Sequence, residues 1–61
     1  MKVKIKSFKG QLPECITQDK EYQIGVFDGK GFDFVDDDGD WWYTKLINSW
    51  VLNGGDWEIV E

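Results

Sequence analysis

Apolar and polar residues alternate with a period of two through most of this chain, strand-forming residues outnumber helix formers, and alanine is absent. That pattern restricts the chain to β-structure. Lys2-Val3-Lys4-Ile5-Lys6 sets Val3 and Ile5 on one face against three lysines on the other, as in a half-buried strand whose outer face resists edge pairing. Tyr22, Ile24 and Val26 alternate with Gln23, Gly25 and Phe27 in a second predicted strand, which ends at the Asp28-Gly29-Lys30-Gly31 turn; Gly25 marks a bend within it. Phe32 to Asp36 and Asp40 to Ile47 form the next two, and Trp57-Glu58-Ile59-Val60 the fifth. Residues 8–19 lack a sustained period, hold Gly10 and the only proline, Pro13, and read as a long loop anchored by Leu12, Cys15 and Ile16. A second irregular stretch, 48–56, carries turn chemistry at Asn53-Gly54-Gly55 and one short helical turn at Trp50-Val51-Leu52. Five short strands around tight central hairpins predict one domain over residues 1–61, closed into a small barrel.

The junction Asp36-Asp37-Asp38-Gly39-Asp40-Trp41-Trp42-Tyr43 decides how the central hairpin is registered. A two-residue loop at Asp38-Gly39 would set Val35 against Trp42 and put Asp33 on the same face as Leu46, which mixes charge with core. A three-residue loop, Asp37-Asp38-Gly39, instead gives Gly39 the left-handed position of a bulge and pairs Phe34 with Trp42 and Phe32 with Thr44. In that register Phe32, Phe34, Trp42 and Leu46 point inward, and Asp33, Val35, Trp41, Tyr43 and Lys45 point outward.

At 61 residues the chain is near the lower limit for folding without a metal or disulfide, so most of its four Trp, four Phe and two Tyr are needed for the core. Twelve acidic residues against seven lysines give a net charge of −5, and arginine is absent. Direct nucleic-acid binding is therefore not expected, since Arg is the usual bidentate reader of phosphate and guanine and Lys2, Lys4, Lys6 and Lys9 are a sparse substitute. In a barrel whose first and last strands pair, those lysines face Glu58 and Asp56. Cys15 is the only cysteine and histidine is absent, which leaves no internal disulfide and no His or Cys metal cluster. No apolar run marks a signal peptide or membrane span, and a cytoplasmic setting fits.

Catalysis is not expected. Ser7, Thr17, Thr44 and Ser49 have no histidine to activate them, Cys15 reads as an inert buried thiol, and a barrel this small fills its own interior. The acidic turn invites a calcium reading, but with Gly39 at the sixth position of an EF-hand frame the first ligand would be Phe34 and the last Lys45, so no metal or other cofactor is assigned. The outward rings are the sharper signal, because large exposed aromatics are enriched at binding hot spots. The candidate partner-binding residues are Trp41, Tyr43, Asp36 and Asp40, with Phe27 and Trp50 as further members of the same kind. A competing placement has the rings covered by the 8–19 loop or the Trp50 segment.

The series Leu12-Pro13, Ile16-Thr17-Gln18-Asp19-Lys20-Glu21-Tyr22-Gln23-Ile24, Val35-Asp36-Asp37-Asp38-Gly39-Asp40 and Trp57-Glu58-Ile59-Val60 resembles the small Src-homology-3-like barrels of bacteriophage and prophage genomes over most of the chain. The resemblance implies an all-β, five-stranded Src-homology-3-like barrel of phage or prophage origin, working in a bacterial cytoplasm, and implies no reaction. Trp41 stands where the strand-opening tryptophan of the eukaryotic polyproline-binding modules would, but the 8–19 loop lacks their tyrosine-rich signature. The expected role is thus a non-catalytic interaction module for a host or phage protein. Two alternatives differ in class: an acidic DNA mimic that inhibits a host DNA-binding enzyme, motivated by the carboxylate count, and a self-associating component of a phage particle with the rings buried between copies, such as a homodimer.

Overall fold

The computed structural model describes residues 1–60; Glu61, the last residue of the expected domain, lies outside them. Five strands, β1 (Lys2–Ser7), β2 (Tyr22–Phe27), β3 (Gly31–Val35), β4 (Trp41–Lys45) and β5 (Asp56–Val60), are joined by a long β1–β2 loop, two hairpins and a 3-10 turn at Trp50–Leu52. They form one antiparallel sheet in the order β4-β3-β2-β1-β5. The expected closure into a barrel is not seen. β4 and β5 end the sheet, and between them run a backbone bond from Trp57 N–H to Leu46 O (2.8 Å) and an isolated bridge, Ser49 to Gly55, in place of a ladder.

The central hairpin takes the three-residue loop. Phe34 faces Trp42, Phe32 faces Thr44 and Val35 faces Trp41. Asp36 N–H donates to Asp40 O (2.9 Å), Gly39 N–H returns to Asp36 O (3.1 Å), and Gly39 sits at φ +85°, a conformation in which an L side chain is strained. β2 departs from its predicted faces. Ile24 pairs with Phe34 but Phe27 pairs with Phe32, so β2 carries one extra residue between them, at the bend that Gly25 marked. The bulge rotates Val26 off the Tyr22–Ile24 face and leaves it 81% exposed, while Phe27 turns back to pack against the core.

Val3, Ile16, Tyr22, Ile24, Phe32, Phe34, Val51, Leu52 and Trp57 make one buried cluster. Its centre is aromatic. Tyr22, Phe32 and Phe34 surround Trp57 at centroid separations of 5.4–6.0 Å, mostly edge to face, the arrangement that ring quadrupoles favour. Trp57 donates its indole N–H to Ser49 Oγ (3.0 Å), which shares a hydrogen bond with Thr44 Oγ1 (2.5 Å), so the buried polar atoms at this end satisfy one another. Gly55 permits the closest backbone approach: a Cβ there would lie 2.1 Å from Ser7 O. Of the lysine pairings expected across β1 and β5, Lys4 meets Glu58 at 3.7 Å; Asp56 instead accepts Asn48 N–H, and Lys2 turns to Glu21.

Candidate partner-binding surface

The acidic turn is built from inside by its own side chains. Asp36 is 6% exposed: Oδ1 accepts the N–H groups of Asp38 and Asp40 (both 2.9 Å) and Oδ2 accepts the Trp42 indole N–H (2.6 Å). Burial alone would raise its pKa, yet the hydrogen bonds from Asp40, Trp42 and Asp38 hold it below the usual carboxylate range. Asp36 was expected to offer itself to a partner; its carboxylate is instead committed to the turn and to the orientation of Trp42. Asp37 serves the long loop. Its carboxylate accepts from Lys20, from Thr17 Oγ1 (2.6 Å) and from Tyr22 O–H (3.1 Å), its N–H donates to Cys15 O (2.9 Å), and Lys20 foremost lowers its pKa. Asp38 and Asp40 remain exposed, and none of the ion pairs among the described residues reaches them.

On the outer face of β4, Trp41 is 62% and Tyr43 49% exposed, as the register required. Trp41 lies over Gly25, where a Cβ would come within 3.9 Å of its ring. Tyr43 reaches to the β2–β3 turn and donates its O–H to Asp28 Oδ2 (2.7 Å). Asp28 also accepts the N–H groups of Gly31 (2.8 Å) and Lys30 (2.9 Å), and these bonds, Gly31 first, bring its pKa down to about 2.

The other face of β4 differs from expectation. Trp42 is directed to the inner side but stays 41% exposed, because the long loop and the 3-10 turn leave a groove open beside it and cover it only through Trp50, which lies edge-on against it at 5.8 Å. Trp50 is 60% exposed, and its indole N–H donates to Tyr43 O (3.0 Å) at the free edge of β4. Trp41 and Tyr43 therefore lie on the outer face of β4, and Trp50 sits at its free edge beside Trp42 on the inner side. Phe27 does not join them, being partly buried against the core.

Trp42 and Trp50 form one wall of a groove of about 220 Å³; Pro13, Cys15 and Ile16 form the other, with Phe34 and Val51 beneath. Both ends of the loop wall are fixed. Asn53 Nδ2 donates to Lys9 O (2.7 Å) and Gln11 O (3.0 Å), Lys9 N–H donates to Leu52 O (3.1 Å), and Asp37 holds the far end through Cys15 and Thr17. Burial, followed by the adjacent Asp36 carboxylate, pushes the Cys15 thiol up and away from the nucleophilic thiolate. No local sequence pattern marks this groove, because its walls come from segments about 30 residues apart.

Oxygens of Asp36, Asp38 and Asp40 come within 4.8 Å of one another and are the residues that could meet a hard cation. Asp36 Oδ1 already accepts two N–H groups and Oδ2 the Trp42 indole, so Asp36 has less capacity left for a cation than Asp38 or Asp40. Among the described residues no helix is long and apolar enough to cross a membrane. No protein-family model, curated protein or solved structure matches the chain.

Proposed function

We propose that this chain is a non-catalytic interaction module, an accessory protein of phage or prophage type, that docks on a host or phage protein in the bacterial cytoplasm through the rings at the β4 end of its sheet. The observation that carries the reading is the exposure of Trp41, Trp42, Tyr43 and Trp50 together, on two adjacent elements of a small domain. Leaving four large rings in water forgoes burial that a 61-residue chain can hardly spare, and such rings anchor protein interfaces. A Src-homology-3-like fold whose sheet stays open between β4 and β5 is the reading that accompanies it, supported by five short strands, one long early loop and a helical turn before the last strand. The commitment of Asp28, Asp36 and Asp37 to internal hydrogen bonds weighs against the DNA-mimic alternative, which needs free carboxylates along an extended face.

The test is capture of a partner from bacterial lysate by the wild-type chain, Trp41→Ala and Trp50→Ala, with circular dichroism to establish that each variant is folded. The proposal expects a captured protein that both variants lose. Capture unaffected by either substitution would refute it, and sedimentation showing a concentration-dependent dimer that dissociates on Trp41→Ala would replace the foreign partner by a second copy.

A further inference from the structure

The strand order leaves β4 with a neighbour on one side only. Beside β3, Asp36 N–H donates to Asp40 O and Leu46 N–H to Lys30 O, so Trp42 and Thr44 turn their backbone groups to β3 while Trp41, Tyr43 and Lys45 turn theirs to the free edge. At that edge Tyr43 O meets the Trp50 indole N–H, and Lys45 O meets the Thr44 hydroxyl. The N–H groups of Trp41, Tyr43 and Lys45 meet no acceptor among the described residues. A hollow of about 310 Å³, lined by Tyr43, Thr44, Lys45, Asn48 and Trp50, keeps the edge open to an incoming strand. β5, the other end strand, is instead tied to Leu46 through Trp57 N–H.

Charge is divided along this edge. Asp38 and Asp40 at its start and Lys45 and Lys30 at its end are exposed, and the ion pairs among the described residues involve none of them. Lys30 belongs to that end because its carbonyl holds Leu46 N–H. A parallel copy laid along the edge would set one acidic turn against the other. An antiparallel copy, related by a two-fold axis at Tyr43, sets the acidic end of each strand beside the lysines of the other. That is also the two-fold register in which every outward N–H is used: Tyr43 exchanges N–H···O bonds with Tyr43 of the second copy, and Trp41 exchanges them with its Lys45.

Going beyond the interaction reading above, we propose that this edge pairs with β4 of a second copy of the chain, antiparallel about Tyr43, and joins two sheets into one. Trp50, 60% exposed, turns aside, and the Tyr43 N–H of the second copy replaces its indole at Tyr43 O. The axis is normal to the sheet, so Trp41 and Tyr43 of both copies stay exposed on one continuous outer face. Backbone pairing makes the contact. The charged ends select the antiparallel arrangement and are screened by salt.

Sedimentation equilibrium of the full chain from about 5 to 500 μM, at roughly 20 mM and 0.5 M salt, tests this when joined to 15N amide exchange on the same samples. The expected result is a reversible dimer, at least about threefold weaker at the higher salt, in which exchange at Trp41, Tyr43 and Lys45 slows at least about tenfold with concentration while Glu14 in the long loop is unchanged. Lys45→Glu weakens the dimer at least about tenfold at low salt, and the double variant Asp40→Lys, Lys45→Glu returns it to within about threefold of wild type. Trp41→Ala keeps the edge backbone and changes the dimer less than about threefold, with circular dichroism establishing that each variant is folded. A monomer throughout the range, a dimer whose edge amides exchange freely, or Lys45→Glu dimerising as wild type overturns the proposal. A dimer lost on Trp41→Ala overturns it as well, since that result marks rings packed face to face. A monomer that still captures its partner through Trp41 removes the edge dimer alone, and a dimer with protected edge amides that captures nothing removes the interaction reading alone.

Discussion

Ser49→Ala exposes how much of this fold rests on one buried hydroxyl. Ser49 is fully buried; its Oγ accepts the Trp57 indole N–H at 3.0 Å and bonds Thr44 Oγ1 at 2.5 Å, while Thr44 Oγ1 also donates to Lys45 O at 3.1 Å. With the Thr44 proton directed to Lys45, Ser49 donates to Thr44 and accepts from Trp57, and the network is complete. Alanine leaves a buried indole N–H without an acceptor, at about 1–3 kcal/mol, and removes the Thr44 bond, worth about 0.5–1.5 kcal/mol. The sum, roughly 2–4 kcal/mol, is a large part of the roughly 3–9 kcal/mol expected for a domain of this length. Urea unfolding should show a midpoint lower by roughly 2 M or more, taking an m-value near about 1 kcal/mol/M, without a change in m. The double-mutant cycle with Trp57→Phe, which deletes the indole donor, isolates the pair. A Ser49→Ala cost below about 0.5 kcal/mol, or one unchanged in the Trp57→Phe background, would refute the network as described. Because Ser49 leads directly into the turn that carries Trp50, the same variant should also weaken capture of a partner that depends on Trp50.

Asp28 titrates from an ordinary 3.8 down to about 2, so the stability it contributes is present above about pH 4 and is lost as the pH falls through about 2; urea midpoints between pH 2 and 6 should fall less steeply for Asp28→Asn than for wild type. Gly55→Ala places a Cβ 2.1 Å from Ser7 O and 2.6 Å from Phe8 Cα, both backbone, and should cost at least roughly 2 kcal/mol or abolish cooperative thermal unfolding. Asn53 adopts φ +57° and clamps the loop through two side-chain bonds; Asn53→Gly keeps the backbone conformation accessible and removes only the clamp, so amide exchange over residues 9–11 should accelerate while the core strands stay protected.

Local pattern carried the strands and the central register, since period-two alternation and one turn glycine are decided by residues near each other in sequence. The three-residue loop with Gly39 left-handed and Phe34 opposite Trp42 is the clearest case. What escaped depends on distant segments. Val26 alternated correctly with Ile24, but the extra residue that turns it outward is visible only against β3. The register directs Trp42 inward, but its half-exposure follows from the groove that the loop and the 3-10 turn leave open on that side. Asp36 looked like its neighbours in an acidic run; its burial follows from an indole six residues on that needed an acceptor. Strand number alone points to a closed barrel, whereas closure needs a β4–β5 ladder that the segment between those strands replaces with a bridge.

The decisive question is whether the exposed rings on and beside β4 contact a partner. Affinity of the captured partner should be measured for the wild-type chain, Trp41→Ala, Trp50→Ala and the control Val26→Ala, whose side chain is 81% exposed on the bulged part of β2 away from the groove lining. Losses of at least about tenfold at both tryptophans with Val26→Ala at the wild-type value are the expected result. Equal affinity for all four folded proteins would contradict it.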